Sequence, residues 1–272
     1  MNNIERPRVH FAPSEFLNPV NPITINIIGA GGTGGCLLTA IAKINHCLVV
    51  SGRCGFSVQL FDNDKVTPAN RGRQLFTESE IGLYKSVILI NRINRFWGTN
   101  WKAKTVNYDK RYFKLNRYSA SDAAVITISC VDNVESRFEM CKFLKAVEKK
   151  HGIYGRNKPT YYYDFGNSRH TGQVILSTIS EVKQPRSQKY QTVPRLPLIT
   201  EEYGQLLKNS EKEDDTPSCS LAEALQKQDL FINPSLVEMG ASLLWNLFLE
   251  GMIFHKGLFH NIKTFNTNGI PV

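Results

Sequence analysis

A chain of 272 residues, 42% of them hydrophobic, carries enough apolar material for a substantial core and lies far from a disordered composition. Its net charge of +9 is spread along the sequence without a run of five like charges, so nucleic acid is not expected, and an acidic protein partner or a phosphate ligand fits better. The run SLLWNLFLEGMIF is too short for a membrane span and is broken by Asn246, Glu250 and Gly251; MNNIERPRVHF has no apolar stretch behind its charges, so no membrane contact, no secretion signal and a cytoplasmic setting are expected.

In chain order, ITINIIG (23–29) reads as a buried strand, GAGGTGG follows, and CLLTAIAKI continues as a helix. SVQLFD (57–62) reads as a second strand. The stretch 77–97 places Val87, Ile90, Ile93 and Trp97 at helical spacing, with Thr77 and Glu80 as a capping box. AAVITISC (123–130) is another buried strand and 132–150 another helix, with lysines at its C-terminal end where the helix dipole favours them. Two further strands are expected at 160–167 and 171–180. Residues 181–218 are polar and proline-punctuated and read as a long crossing loop. Helical patterns return at 220–229 and 234–249, the second with Asn233 as N-cap and Pro234 in the first position. The tail suggests a terminal strand or hairpin. The alternation predicts an α/β, Rossmann-like doubly wound fold with a mostly parallel sheet, helices on both faces and a mixed or antiparallel C-terminal extension. One domain over 1–272 is expected: an N-terminal arm (1–22), a nucleotide-binding core (23–180), the crossover loop (181–218), and C-terminal helices and strand (219–272).

The chemistry concentrates at predicted strand tips. GAGGTGG, between a strand and a helix, lets the backbone approach a phosphate and offers the donors of a helix N-terminus, although a tight strand-to-helix turn also selects glycine. Asp62 ends the second strand, further along than the usual ribose acid of a dinucleotide fold. FDNDKVTPANRGRQLF (61–76) then gathers Asp64, Asn70, Arg73 and Gln74, and Lys85 follows in IGLYKS. Singly, each reads as a solvated side chain; together the arginine and lysine suit charge developing on a phosphate under attack. In SCVDNVES, Asp132 sits at a strand's carboxyl edge, where it can hold magnesium; either Asp132 or Asn133 also suits a helix cap, which leaves one spare.

GAGGTGG, DNDKV, N-x-x-RQ (70–74), G-x-x-K (82–85) and C-V-D-N (130–133) occur in this order, and the set resembles the ThiF/MoeB/HesA family, relatives of ubiquitin-activating enzymes, most closely the ThiF-type members of PRTRC cassettes. The resemblance is good over 23–180 and loose beyond. It implies that Gly29, Gly31, Gly32 and Gly34 form an ATP loop, that Asp62 binds ribose, that Asn70, Arg73, Gln74 and Lys85 contact the triphosphate, and that Asp132 holds Mg2+. It also implies adenylation of the C-terminal carboxylate of a small ubiquitin-like protein ending in glycine, and a homodimer in which an arginine near the partner's N-terminus, Arg6 or Arg8, assists.

Six cysteines stand at 36, 47, 54, 130, 141 and 219, with no CxxC pair, so no zinc is expected; many relatives carry such pairs. Cys219, in TPSCSLAEAL, precedes a helix that Ser220 and Glu223 would cap, a place that favours thiolate, and the resemblance offers it as an acyl acceptor. A small residue in a tight turn is the other reading. The remaining five read as packing residues. Three functions stay open: an activating enzyme; an NAD- or FAD-dependent oxidoreductase, drawing on the glycines alone; and a non-catalytic ATP-binding scaffold.

Overall fold

A computed structural model describes residues 6–109, 111–112, 122–151, 157–210 and 228–272. In chain order its elements are β1 (Arg8–Phe11), α1 (Ser14–Leu17), β2 (Ile23–Ile28), α2 (Gly32–Val50), β3 (Phe56–Phe61), α3 (Lys85–Trp97), β4 (Lys102–Lys104), β5 (Ile126–Ser129), α4 (Val134–His151), β6 (Tyr161–Asn167), β7 (Thr171–Thr178), β8 (Gln191–Thr192), α5 (Ile199–Glu202), α6 (Gly204–Ser210), α7 (Ile232–Leu249), β9 (Met252–Ile253), β10 (His255–Asn261) and β11 (Asn266–Pro271).

Isoleucines make β2 the centre of an eight-stranded sheet, ordered β11-β10-β7-β6-β5-β2-β3-β4. Ile27 lies opposite Leu60 of β3 and Ile128 of β5, both parallel to β2. Ile25 and Ile27 join a core cluster with α2, α3 and α7, whereas Ile28 belongs to a second cluster with Val134, Met140 and Leu144 of α4. Both sheet faces are therefore covered, as near-continuous apolar strands require. Beyond β6 the pairing turns antiparallel through β7, β10 and β11, so the expected fold class, including its antiparallel C-terminal extension, is the one observed. A small second sheet, β8-β1-β9, stitches the N-terminal arm to later parts of the chain.

Several local expectations need correction. The helix expected from 77 begins only at Lys85: the Thr77 capping box closes a single 3-10 turn, Glu78–Glu80, and Gly82 then takes a φ of +88° as its amide bonds to Val66 O. On α3, Ile90 and Ile93 are buried while Val87 faces outward. Residues 181–210 are more than a crossing loop. Val182, Val193, Leu196, Leu198 and Ile199, interspersed among polar residues, are buried, and β8, α5 and α6 lie in this span. The C-terminal helix starts at Ile232, so Asn233 lies inside it and does not cap it. Among the described residues one helix, α2, with 19 residues and a mean hydropathy of 1.4, meets the length and composition of a membrane span; half of that stretch is buried, with Leu37, Leu38 and Ile41 in the core.

Candidate functional site

The chain crosses from β4 on one side of β2 to β5 on the other, so the carboxyl ends of β2 and β5 border the switch point where open α/β sheets bind ligands. Gly29 makes the turn there with φ +98°, and a Cβ on it would lie 2.8 Å from Cys130 O. A Cβ on Gly34 would come within 1.9 Å of Gly29 O, so this glycine lets α2 pack on the turn itself. Gly32 leaves room for Asn233, whose Nδ2 would stand 2.5 Å from an added Cβ. Gly31 differs: nothing lies within 4 Å of its Cβ position, at the mouth of a 19-residue helix whose first amides have no acceptor within the helix. Thus Gly29, Gly32 and Gly34 of the four glycines implied for the loop serve packing, and Gly31 faces open space where a phosphate can approach.

Asp62, at the tip of β3, accepts the Ala30 amide through Oδ2 (2.6 Å) and the Asp64 amide through Oδ1 (2.7 Å). Burial pushes its carboxyl above the ordinary aspartate value, against the pull of those two amides and of the Lys85 charge. Each oxygen keeps one lone-pair direction for a further donor such as a ribose hydroxyl. Lys85, at the start of α3, reaches Asp64 Oδ2 at 3.1 Å. Asn70 turns its carbonyl oxygen to the Thr67 amide (2.9 Å), which leaves its Nδ2 as a donor for a ligand.

Arg73 is half-buried, and burial alone lowers its pKa. Its Nη1 donates to Gln228 Oε1, while its Nε, like Oε1 of buried Gln74, has no hydrogen-bond partner among the described residues. Gln228 Oε1 also accepts from Asn233 Nδ2 (3.2 Å), and Asn233 Oδ1 accepts from Thr33 Oγ1 (2.8 Å) and Asn167 Nδ2 (2.6 Å). A polar relay therefore ties Arg73 to the glycine turn. Asn167, Gln228 and Asn233 lie in no motif, and the Asn–Pro pair at 233–234 looks like a helix start when read as sequence.

Asn133 caps α4, its Oδ1 accepting the Ser136 amide at 2.8 Å. Asp132 is the spare carboxylate: exposed, two residues beyond the Cys130 that packs on Gly29, and without a hydrogen bond among the described residues. Beneath it Arg137 and Asp164 form a buried ion pair at 3.0 Å, another feature without a motif. Among the described residues no three His, Cys, Asp or Glu side chains converge, so a bound metal would draw one carboxylate from the chain and its remaining ligands from phosphate and water. The residues present fit magnesium in that manner.

Gly29, Gly31, Asp62 and Lys85 thus form one connected group, Arg73 joins it through Gln228 and Asn233, and Asp132 borders it across the β2–β5 edge. Arg6 donates to Ser187 O of its own chain at 3.1 Å and Arg8 lies in β1. Cys219, Ser220 and Glu223 lie outside the described residues. Burial raises the thiol pKa of Cys36 and Cys130 and pushes Cys141 up to about 12, as suits packing residues; Cys47 and Cys54 are exposed instead, and Cys54 Sγ lies 3.0 Å from Pro19 O.

Ubiquitin-like modifier-activating enzyme 5 of Culex quinquefasciatus is 30% identical over 124 residues, which are 42% of this chain and 29% of that protein. Its Caenorhabditis elegans counterpart is 28% identical over 123 residues, 42% and 27% of the respective lengths. The matched stretch is less than a third of these relatives. Among solved structures, PaaA superposes with a TM-score of 0.58 at 12% identity, covering 94% of this chain and 74% of its own. Escherichia coli MccB crystallised with ATP gives 0.53 at 12%, covering 94% and 65%. At such identity the likeness is one of fold. The model described as ThiF family matches residues 7–242, across the glycine turn, the Arg73 segment, the Asp132 edge and most of α7, and the chain belongs to the ThiF family.

Proposed function

We propose that this protein activates the C-terminal carboxylate of a small protein or peptide by transferring AMP to it from ATP. The observation that carries the reading is the gathering of an open glycine turn, Asp62, Lys85 and Arg73 at one sheet edge in a ThiF-family chain. Support for the two substrates comes from the MccB structures, solved with ATP and with MccA, and from the modifier-activating relatives. We take the acceptor to be a ubiquitin-like protein ending in glycine. The oxidoreductase alternative draws on the glycine turn alone.

In this reading the adenosine ribose hydrogen-bonds to the open lone pairs of Asp62, and the phosphates lie over Gly31 against the first amides of α2. An acceptor carboxylate oxygen attacks the α-phosphorus, the bond from that phosphorus to the bridging oxygen of the β-phosphate breaks, and pyrophosphate leaves with the electron pair. A carboxylate is a weak nucleophile facing a polyanion, so the work of the site is placement and charge neutralisation. Arg73 supplies a planar fork, its buried Nε being free to donate, and Lys85 a compact charge. Magnesium, held by Asp132 and the phosphates, would add neutralising charge. In a second step we assign to Cys219, its thiolate attacks the acyl carbon, AMP departs, and a thioester forms.

The test is intact-mass analysis and pyrophosphate exchange with ATP, magnesium and candidate carriers ending in glycine. Exchange dependent on a carrier is expected. Arg73→Ala should lower it by about 10²–10³-fold, in the range of a lost transition-state donor, while Cys219→Ala should leave exchange intact and abolish only the covalent carrier adduct. Tight ATP binding with no exchange for any carrier would reject the catalytic reading.

A further inference from the structure

We propose that Arg137 and Asp164 form a positioning device for Asp132; the inference rests on the ATP-site reading above and deepens it. The turn that carries Asp132 joins β5 to α4 and has no β-ladder of its own. Its backbone is held from below by one guanidinium. Arg137 Nη2 donates to Val131 O at 2.6 Å and Nη1 to Asn133 O at 3.4 Å, the carbonyls on either side of Asp132. The fork is fixed in turn: its Nε lies 3.0 and 3.3 Å from the two carboxylate oxygens of Asp164, and Nη2 also reaches Phe165 O at 3.3 Å. Tyr162 donates its hydroxyl to Asp164 Oδ1 at 3.0 Å. The guanidinium is 5% exposed and the carboxylate fully buried. Burial alone would lower the Arg137 pKa; the neighbouring Asp164 charge and hydrogen bonds outweigh it and the net shift is upward, so the guanidinium stays charged.

Three facts separate this device from ordinary core packing. A buried ion pair is weak as a source of stability and strong as a constraint on geometry. Its donors converge on the two peptide carbonyls flanking the one exposed carboxylate at the β5 tip. Space for it is reserved on β6, where a Cβ on Gly166 would stand 3.0 Å from Arg137 Nη2. Lysine cannot replace the fork, because an ammonium lacks a planar array able to reach a carboxylate and two separate carbonyls at once. Arg137 touches no reacting atom; it holds the backbone that carries Asp132, the carboxylate that would hold the metal.

The test measures ATP binding to the full chain by calorimetry, with and without a magnesium series, for the wild type, Asp132→Ala, Arg137→Lys, Asp164→Asn and the double variant Asp132→Ala/Asp164→Asn. Outer-shell partners of a metal ligand are commonly worth about 10–100-fold in metal affinity. Arg137→Lys and Asp164→Asn are therefore expected to raise the magnesium concentration for half-maximal effect by about tenfold or more, and to leave metal-free ATP affinity within about twofold. In the Asp132→Ala background, Asp164→Asn should have no further effect on the magnesium dependence, because the residue it positions is gone. Asp164→Asn keeps the shape of the buried group and decides the matter if Arg137→Lys does not fold. Additive effects of Asp132→Ala and Asp164→Asn, or equal losses of metal-free and magnesium-dependent binding, would overturn the positioning role while leaving the ATP site in place. A wild type with magnesium-independent binding and an Asp132→Ala variant identical to it would overturn the assignment of Asp132, and this inference with it.

Discussion

Lys85 is bound to Asp64 twice: its ammonium lies 3.1 Å from Asp64 Oδ2, and its amide donates to Asp64 O at 2.9 Å. The pair is lopsided, with 9% of the lysine side chain exposed and 65% of the aspartate. The cation is held in the protein and the anion is in water, where solvent weakens its grip. A triphosphate arriving over the glycine turn offers more negative charge than one carboxylate and can draw the ammonium away. On the proposed reading Asp64 parks the lysine, a role the sequence left open. Lys85→Met is expected to reduce pyrophosphate exchange by about 10²-fold or more, whereas Asp64→Asn should change it by less than about tenfold and cost no more than about 1 kcal/mol of stability. Equal losses for the two variants would argue against lysine transfer from carboxylate to phosphate.

Gly31 and Gly34 separate binding from folding. A methyl on Gly34 would overlap Gly29 O, and backbone cannot move aside cheaply, so Gly34→Ala should destabilise by more than about 3 kcal/mol or fail to fold. Gly31 has open space at its Cβ and a negative φ of −73°, so Gly31→Ala should melt within about 0.5 kcal/mol of the wild type. The same methyl would occupy the approach of the phosphates, and ATP affinity should fall by about tenfold or more. Thermal melts paired with ATP titrations check both halves.

Asn233 holds α7 to the first turn of α2 and to the end of β6. Asn233→Ala leaves Thr33 Oγ1 and Asn167 Nδ2 without their acceptor, and a buried polar group so stranded costs about 1–3 kcal/mol. Urea unfolding should show that loss. ATP affinity should fall as well, since Gln228 and through it Arg73 lose their support. A loss of stability with ATP binding untouched would disconnect the relay from the nucleotide.

Acid should destabilise the fold in two stages. His10 is buried, with Nδ1 at 2.7 Å from Val193 O and Nε2 at 2.7 Å from the Tyr161 hydroxyl. Burial lowers its pKa, and the Val193 bond offsets this only in part. A histidine depressed in the folded state gives its full contribution above the unfolded value of about 6.5 and loses it as pH falls toward the folded one. Glu80, Glu148 and Glu201 lie below the ordinary glutamate value: burial alone would raise each, but hydrogen bonds and cations, including Arg92 at Glu80, Lys158 at Glu148 and Lys145 at Glu201, outweigh it. Their contribution is complete above the ordinary value and disappears as pH falls through the lowered ones. Urea melts over a pH series should therefore show a first decline below about pH 6.5 that His10→Asn removes, and a second in the carboxylate range, from about pH 4.3 downward, that Glu80→Gln reduces.

The parallel half of the fold was legible because β2, β5 and β6 are buried almost throughout and read as largely apolar, β-branched or aromatic runs, while β3 keeps Phe56, Val58, Leu60 and Phe61 inside. The delayed acid at Asp62 has a simple cause: α2 runs 19 residues before the turn to β3. Capping at 77–80 was correctly read as a box, but Gly82 ends the turn and a new helix starts at Lys85, which the apolar spacing of residues 87–97 does not reveal. Residues 181–210 defeated pattern reading because their buried side chains come one or two at a time between prolines. The Gln228–Asn233–Asn167 relay and the Arg137–Asp164 pair were invisible for a different reason. Each joins residues whose partners are set by tertiary packing, and no local spacing encodes such a pairing.

The small sheet has a consequence for the order of assembly. His10 meets Val193 across 183 residues of chain, and β1 is held between strands contributed from beyond residue 190 and beyond residue 250. Closing loops of that length is entropically costly and slow, so this seam closes after the central strands have paired. The amides of Val9 and Phe11 should then be among the last to gain protection in a refolding pulse-labelling experiment, and a mechanical pull on the N-terminus would unzip them first, with the nucleotide edge still standing.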